Sequence, residues 1–268
     1  MNRLQVLVAT MQRRDLSLAD QMNIDCAAVI ANQADREEVE YLSRPCGQVK
    51  MVSTATRGVG LNRNIALMAA ESELLLFADD DVVYYDGMAE HVIQAFDENP
   101  RADVLIFGMD LTKSGKTFDK RRPPAKRLHV YNALRYGTYI IALRREAALR
   151  ANLSFHRCFG GGCRYCSGED TLFLKSCFDK GLKVYGHSYV LGTCSKDSSS
   201  WFTSYNEKYF YDRGALVRHL FPHCPYLMAP YFAIRFKDET SIRVWQRLKL
   251  IFAGVKGGKK LLPYEEKL

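Results

Sequence analysis

Residues 74–85 read LLLFADDDVVYY, an apolar run of strand length that ends in three adjacent carboxylates, Asp79, Asp80 and Asp81. Two ionised carboxylates about 4 Å apart cost roughly 4 kcal/mol at an effective dielectric of about 20, and far less in open water. An acidic turn in solvent would therefore be unremarkable, but the flanks point elsewhere. A continuous apolar run suits a strand buried on both faces of a parallel sheet. In open α/β sheets ligands bind outside the carboxyl ends of such strands, which is where this run delivers its acids.

Strand-like segments at 5–9, 26–31, 49–52 and 74–77 alternate with polar, helix-compatible stretches at 16–23 and 35–43 and with the helix LNRNIALMAAES after Gly60. MAEHVIQAFDENP reads as a further helix and ADVLIFGMD as a further buried strand. This alternation predicts crossover units and a mostly parallel sheet flanked by helices. Residues 112–127 hold seven Lys or Arg against one Asp, with Gly and Pro among them, and are expected to form a mobile surface loop. TYIIALRREAALRAN predicts a strand then a helix, and FGGGCRYCSGED a glycine-rich loop opening into a helix closed by Gly181.

The 268 residues suffice for one large domain with an appendage. No stretch approaches the roughly 18 apolar residues of a spanning helix, and the first residues enter a strand-like run with no leader pattern. The expectation is an intracellular protein whose eight cysteines are reduced thiols. Cys158, Cys163 and Cys166 invite a zinc reading, although only the last two have paired-knuckle spacing. The net charge is +8, and residues 231–260 carry eight cations against two acids, a local +6. Interleaved with Tyr, Phe and Trp, that segment suits an anionic membrane face, a nucleic acid, or simple packing of a helical tail.

Three clusters carry chemistry. Asp79 and Asp81, two apart, can hold a hard divalent cation, which ordinarily completes its shell with waters and substrate phosphates. TRGVGLNRN from Thr56 could offer backbone N–H groups and guanidinium forks to a diphosphate; it is not a dinucleotide fingerprint, because Arg63 stands where the third glycine belongs. SGEDTLF sets Glu169 and Asp170 at a helix N-terminus, where the macrodipole favours acids, behind the pliable triglycine 160–162.

Taken in order, GLNRNIALMAAESELLLFADDDV and GGGCRYCSGEDTLFLKSCFDKGLKVY resemble the family 2 glycosyltransferases of GT-A fold. The resemblance implies a transferase domain over residues 1–195, with a nucleotide-binding half at 1–110 and an acceptor half at 111–195. Residues 196–268 would form a helical, aromatic and basic C-terminal extension. Thr10, Asn32 and Gln33 would line the base and ribose, with Arg57 and Arg63 beside the nucleotide. Asp81 would contact Mn²⁺ or Mg²⁺ directly and Asp79 would serve ribose or metal, with Asp80 nearby. Asp170 would be the catalytic base and Glu169 would help hold the acceptor. The implied partners are a nucleotide sugar, expected to be a UDP-sugar, and a glycan or lipid-linked acceptor in cell-surface polysaccharide assembly. The protein would act in the cytoplasm or on the cytoplasmic membrane face, and nucleic acid is not expected.

Two features depart from the family. Asn32-Gln33 replaces a frequent acidic pair, and no metal-binding histidine occurs near Gly192–Cys194, His187 coming early. A phosphatase of the haloacid dehalogenase type would also use an apolar strand ending in Asp79-Asp80-Asp81-Val82-Val83, with Asp79 as nucleophile. Its motif, however, belongs on a first strand. A basic, non-enzymatic nucleic-acid-binding protein is the third alternative.

Overall fold

The computed structural model describes residues 3–195, 204–235 and 240–264. Lys237, Asp238 and Glu239 of the basic segment, Trp201, and the terminal 265–268 lie outside them. In chain order the elements are β1 (Leu4–Met11), α1 (Leu18–Gln21), β2 (Ala27–Gln33), β3 (Glu38–Leu42), β4 (Val49–Thr54), α2 (Val59–Ala69), β5 (Leu74–Asp79), β6 (Val82–Tyr84), α3 (Met88–Glu98) and β7 (Val104–Lys113). There follow β8 (Lys116–Arg121), α4 (Val130–Ala133), a 3-10 turn (Thr138–Ile140), β9 (Ile141–Arg144), α5 (Arg145–Arg150), α6 (Glu169–Asp179), β10 (Val184–Ser195), α7 (Glu207–Leu220), α8 (Pro225–Arg235) and α9 (Val244–Gly258).

The strands form one sheet in the order β3-β4-β2-β1-β5-β9-β7-β10-β6, with β8 paired to β7. β4, β2, β1, β5, β7 and β10 run in one direction, while β3, β6, β8 and β9 oppose them. The apolar strands are central because they are covered on both faces: Leu4–Thr10 of β1, Ala27–Gln33 of β2 and Leu74–Ala78 of β5 are buried without interruption. Register then decides what meets at the carboxyl edge. Thr10 lies opposite Asn32, Asn32 opposite Ser53, and Ala9 opposite Asp79.

Two expectations are corrected. Residues 35–43 are not helical. EVEYL alternates with period two and forms the edge strand β3 against β4, with Val39 and Tyr41 exposed and Glu38 paired to Arg36, charges of the kind that blunt a free edge. The basic stretch 112–127 is ordered through Arg121: β7 and β8 pair as a hairpin, with Lys113 opposite Lys116. Ser114 and Gly115 between them both take positive φ, 50° and 72°, which is the two-residue turn that matches strand twist.

After β10 the chain adds a helical layer. α7 and α9 pack nearly backbone to backbone at Gly214 and Gly254, where an added Cβ would stand 2.0 Å from the Ile251 carbonyl oxygen and 1.9 Å from that of Tyr211. Phe210, Val217, Ala229, Ala233, Ile251 and Val255 form its own apolar core. The layer rests on the loop before α6: Phe159 and Tyr165 pack with Tyr211, Ala215 and Leu216, and the Cys166 amide donates to Asp212.

In an unconstrained helix Gly→Ala gains about 1 kcal/mol. At Gly254 the backbone clash should outweigh that, because overpacking against atoms that cannot rotate away costs about 1–3 kcal/mol or more. Gly254→Ala should therefore lower the denaturant midpoint of unfolding; an unchanged or raised midpoint would disprove this helix contact.

Candidate active site

The three predicted clusters meet through one side chain. Arg63, in the second turn of α2, is 3 % exposed. Its Nη2 donates to Asp79 Oδ1 at 2.7 Å, and its Nη1 donates to Glu169 Oε1 at 3.1 Å and Asp170 Oδ1 at 2.9 Å. The guanidinium lies 5.5 Å from the Phe155 ring centroid, and Phe155 packs with Phe77 and Phe173 into an aromatic floor. Burial alone would draw the Arg63 pKa down, but attraction to Asp79, Asp170 and Glu169 outweighs it and the shift is upward.

Glu169 responds the other way. Burial, and then the adjacent Asp170 charge, push its carboxyl from 4.5 up to about 7, against the opposing pull of Arg63. One cation cannot neutralise three buried or half-buried acids, so the most enclosed of them keeps its proton most readily. Glu169 is turned inward, with 13 % of its side chain exposed, whereas Asp79 and Asp170 remain 30 % and 31 % open.

The rest of the NRN motif is architectural. Asn62 is buried, and its amide nitrogen donates to the carbonyls of Thr10 and Ala31, joining the ends of β1 and β2. Asn64 accepts from the Phe155 amide and donates to the Phe155 carbonyl, fixing the strip that carries the aromatic floor. Arg63 is thereby held between two anchored neighbours.

The donor-side residues divide similarly. Thr10 donates to Asp80 Oδ2 at 2.5 Å, and Arg13 approaches the same oxygen at 3.7 Å, which gives Asp80 a role tying β5 to the end of β1. Asn32 is fully buried, and its amide serves the Arg13 backbone and Ser53. Gln33 Oε1 accepts the Gly58 amide. Arg57 is exposed and has no ion-pair partner among the described residues. The expected backbone cradle for a diphosphate is corrected here: the Gly58 amide donates to Gln33 and the Val59 amide to the Gly161 carbonyl, so both are already satisfied inside the protein. The glycines let two loops touch. A Cβ on Gly58 would lie 2.7 Å from Cys163 Sγ, and one on Gly160 would lie 2.7 Å from the Glu169 carboxyl carbon.

Asp81 occupies the turn between β5 and β6, with Cys194 Sγ 3.4 Å from its Oδ1 and the Ser195 amide on its carbonyl. The donor chemistry of Asp79 and Asp81, two carboxylates two residues apart, fits a hard cation. Among the described residues no three His, Cys, Asp or Glu side chains converge as a metal site. Cys158, Cys163 and Cys166 therefore form no zinc site, and His187 packs on Phe107, on the order of 20 Å along β10 from Cys194.

Sequence reasoning missed Arg13, Asn62 and Thr138. The hydroxyl of Thr138, in the 3-10 turn, donates to Asp170 Oδ1. A buried Thr between two aromatic-rich stretches carries no signal of its own, and only the fold brings it to α6. A cavity of ≈ 530 Å³ lined by Arg3, Asp25, Cys26 and Asp97 sits at the amino ends of β1 and β2, the opposite end of the sheet from the acids.

The sequence model of Glycosyl transferase family 2 matches residues 9–180, which contain Arg63, Asp79, Asp81, Thr138, Glu169 and Asp170. The chain belongs to that family. No curated protein sequence matches it. Among solved structures it is similar to S. aureus TarS residues 1–349 in complex with UDP-GlcNAc, at 14% identity and a TM-score of 0.64, covering 97% of this chain and 84% of that one. The UDP complex of the same TarS fragment aligns with a TM-score of 0.58 at 14% identity, over 96% of this chain and 72% of that one. At such identities the likeness establishes the shared α/β architecture of the GT-A transferases. Asp79 ends the fifth strand of this glycosyltransferase-family domain, not the first, and is paired to Arg63, which removes the phosphatase reading.

The Glu169 proton gives a stability test with a defined sign. Its folded pKa lies above the ordinary 4.5, so the associated stability is present below about pH 4.5 and is lost as pH rises through about 7. Glu169→Gln stays neutral throughout. Relative to wild type, the variant should gain roughly 2 kcal/mol of unfolding free energy between pH 5 and pH 8. A wild-type-minus-variant difference that does not change with pH would refute the buried proton.

Proposed function

We propose that the protein is an inverting glycosyltransferase that moves a sugar from a nucleotide sugar, a UDP-sugar by preference, to a glycan or lipid-linked acceptor. The observation that carries this reading is the meeting of Asp79, at the carboxyl end of β5, with Asp170, at the start of α6, on one buried arginine. In this reading Asp79 is the donor-side and Asp170 the acceptor-side carboxylate, joined by that arginine.

Asp79 and Asp81 are the residues that would hold Mn²⁺ or Mg²⁺. When bound, such an ion supplies Lewis-acid stabilisation of the diphosphate leaving group. Thr10, Asp80 and Arg13 shape the edge on which base and ribose would rest. Asn32 and Gln33 would act on the nucleotide through the turns they hold, and Arg57 is the cation open to a phosphate. Asp170, the more exposed acid at the α6 N-terminus, would take the proton of the acceptor hydroxyl as that oxygen attacks the anomeric carbon in line, inverting it. Glu169, enclosed and turned inward, would set the acceptor loop by its bond to Arg63.

The acceptor side extends toward the helical layer, and we assign residues 196–268 to peripheral contact with an anionic membrane. α8 and α9 contain no acid. Their outer faces expose Leu227, Tyr231, Ile234, Trp245 and Phe252 beside Arg235, Lys249 and Lys256, and Tyr226 and Phe252 touch to join the two helices into one patch. Amphipathic rings and cations on two helices that carry no acid suit a headgroup layer. No helix among the described residues is long and apolar enough to cross a membrane.

A panel of nucleotide sugars, screened with Mn²⁺ or Mg²⁺ for thermal stabilisation and transfer, tests the activity. Asp170→Asn should keep donor binding and lose transfer by about 10²–10⁴-fold; undiminished transfer would remove Asp170 as the base. For the membrane patch, sedimentation with vesicles containing phosphatidylserine should recover the full chain. Lys249→Glu should weaken recovery at least about fivefold, since each basic residue near such a surface contributes about 1 kcal/mol. Equal recovery of wild type on neutral phosphatidylcholine vesicles would overturn the electrostatic docking.

A further inference from the structure

The two oxygens of Asp170 are not equivalent. Oδ1 accepts from Arg63 Nη1 at 2.9 Å and also from the Thr138 hydroxyl, whereas Oδ2 makes no hydrogen bond among the described residues. Thr138 is 1 % exposed and opens the 3-10 turn that leads into β9, and the Asp170 carboxylate is the hydrogen-bond partner of its hydroxyl. A buried hydroxyl is costly without such a partner, so the placement is a constraint on Asp170 as well as on Thr138.

We propose that Thr138 is a positioning residue which, together with Arg63, pins Oδ1 of Asp170 and so makes Oδ2 the proton acceptor. The inference rests on the reading of Asp170 as the catalytic base. The terminal torsion of an aspartate is broad and roughly two-fold, and one donor leaves the carboxylate free to pivot about that contact. Two donors from different elements, α2 and the 3-10 turn, fix the plane. They also occupy Oδ1, which leaves Oδ2 the oxygen open to an incoming proton. In the transfer step the acceptor O–H bond breaks and its proton passes to Oδ2. The acceptor oxygen bonds to the anomeric carbon as the carbon–phosphate-oxygen bond breaks, and that electron pair leaves on the nucleoside diphosphate.

The division of labour differs from that of Arg63. The guanidinium serves Asp79, Glu169 and Asp170 together, so its removal would disturb the whole cleft. Thr138 touches only the last of the three through its hydroxyl, which makes it the cleaner probe of carboxylate orientation.

The test uses the full chain and whichever nucleotide sugar the panel identifies. Thr138→Val keeps the branched shape and removes the donor, and Thr138→Ser keeps the donor and removes the methyl. Val should lower kcat about 10–100-fold, the scale of a misplaced reacting group, with donor KM and thermal midpoint near wild type. Ser should restore kcat to within about threefold, as expected when the hydroxyl rather than the packing matters. Crystal structures of the Val variant should show the Asp170 carboxylate rotated or in more than one orientation. Wild-type kcat in the Val variant, a Ser variant as slow as Val, or an unmoved carboxylate would overturn the role of Thr138 while leaving Asp170 as the base. Full activity of Asp170→Asn would overturn both.

Discussion

Arg63 gathers three carboxylates that reach it from two distant parts of the chain, and most of the cleft is arranged around the consequences. At about 4 Å and an effective dielectric near 20, each opposite-charge contact is worth roughly 4 kcal/mol, and each carboxylate pair costs a similar amount when equally close. With three acids and one base the balance closes only if one acid is neutral or the acids stay partly solvated. Both happen. Glu169 is enclosed and holds its proton up to about 7, while Asp79 and Asp170 remain about one-third open to water. Removing the arginine would leave enclosed charge without compensation, which is the costly way to break a buried pair.

The guanidinium can do this because its neighbours in sequence are already anchored. Asn62 is held by the carbonyls of Thr10 and Ala31, and Asn64 by both backbone groups of Phe155. Three consecutive polar residues in α2 thus grip the ends of two strands, the two acid clusters and the aromatic floor. Phe155 and Phe173 stack at 4.1 Å with Phe77 edge-on to both, so the charges lie over an apolar surface where water does not screen them from one side. The strand LLLFAD contributes to both layers, with Phe77 below and Asp79 at the rim.

The parts of this arrangement visible in the sequence are those with a local pattern. Apolar runs gave β1, β2, β5 and β7, and the acids at the end of β5 and the start of α6 stood where strand ends and helix starts put ligands. The partner of Arg63 was not visible. The family resemblance implied a place beside the nucleotide, and only the fold shows the side chain turned onto Asp79, Glu169 and Asp170. Asn32 and Gln33 show the same limit: the resemblance implied a nucleotide contact, and only the structure shows that they also satisfy Arg13 and Ser53, and the Gly58 amide. β3 was hidden because four exposed residues and one half-buried glutamate at a sheet edge carry a weak period-two signal. The hairpin turn at Ser114-Gly115 was masked by the lysines and arginines around it. Thr138 had no pattern at all, since its meaning lies in a contact across thirty-two positions.

The helical layer is tied to the acids through glycines. Gly168 takes φ +118°, and a Cβ there would strike Leu216 of α7 at 2.6 Å, so the residue before Glu169 is the point where α7 bears on the site. Gly160, at φ +103°, lets Val59 and the Glu169 carboxyl close on the same loop from the other side. Tyr165 and Tyr211 both donate to the Leu262 carbonyl, which draws the segment after α9 onto that loop as well. A side chain at either glycine would be strained by the positive φ and would push Leu216, or Val59 and Glu169, out of their present rotamers. The orientation of Asp170 is therefore set from three directions: Arg63 from α2, Thr138 from the turn before β9, and α7 pressing on the backbone one residue ahead of the acidic pair.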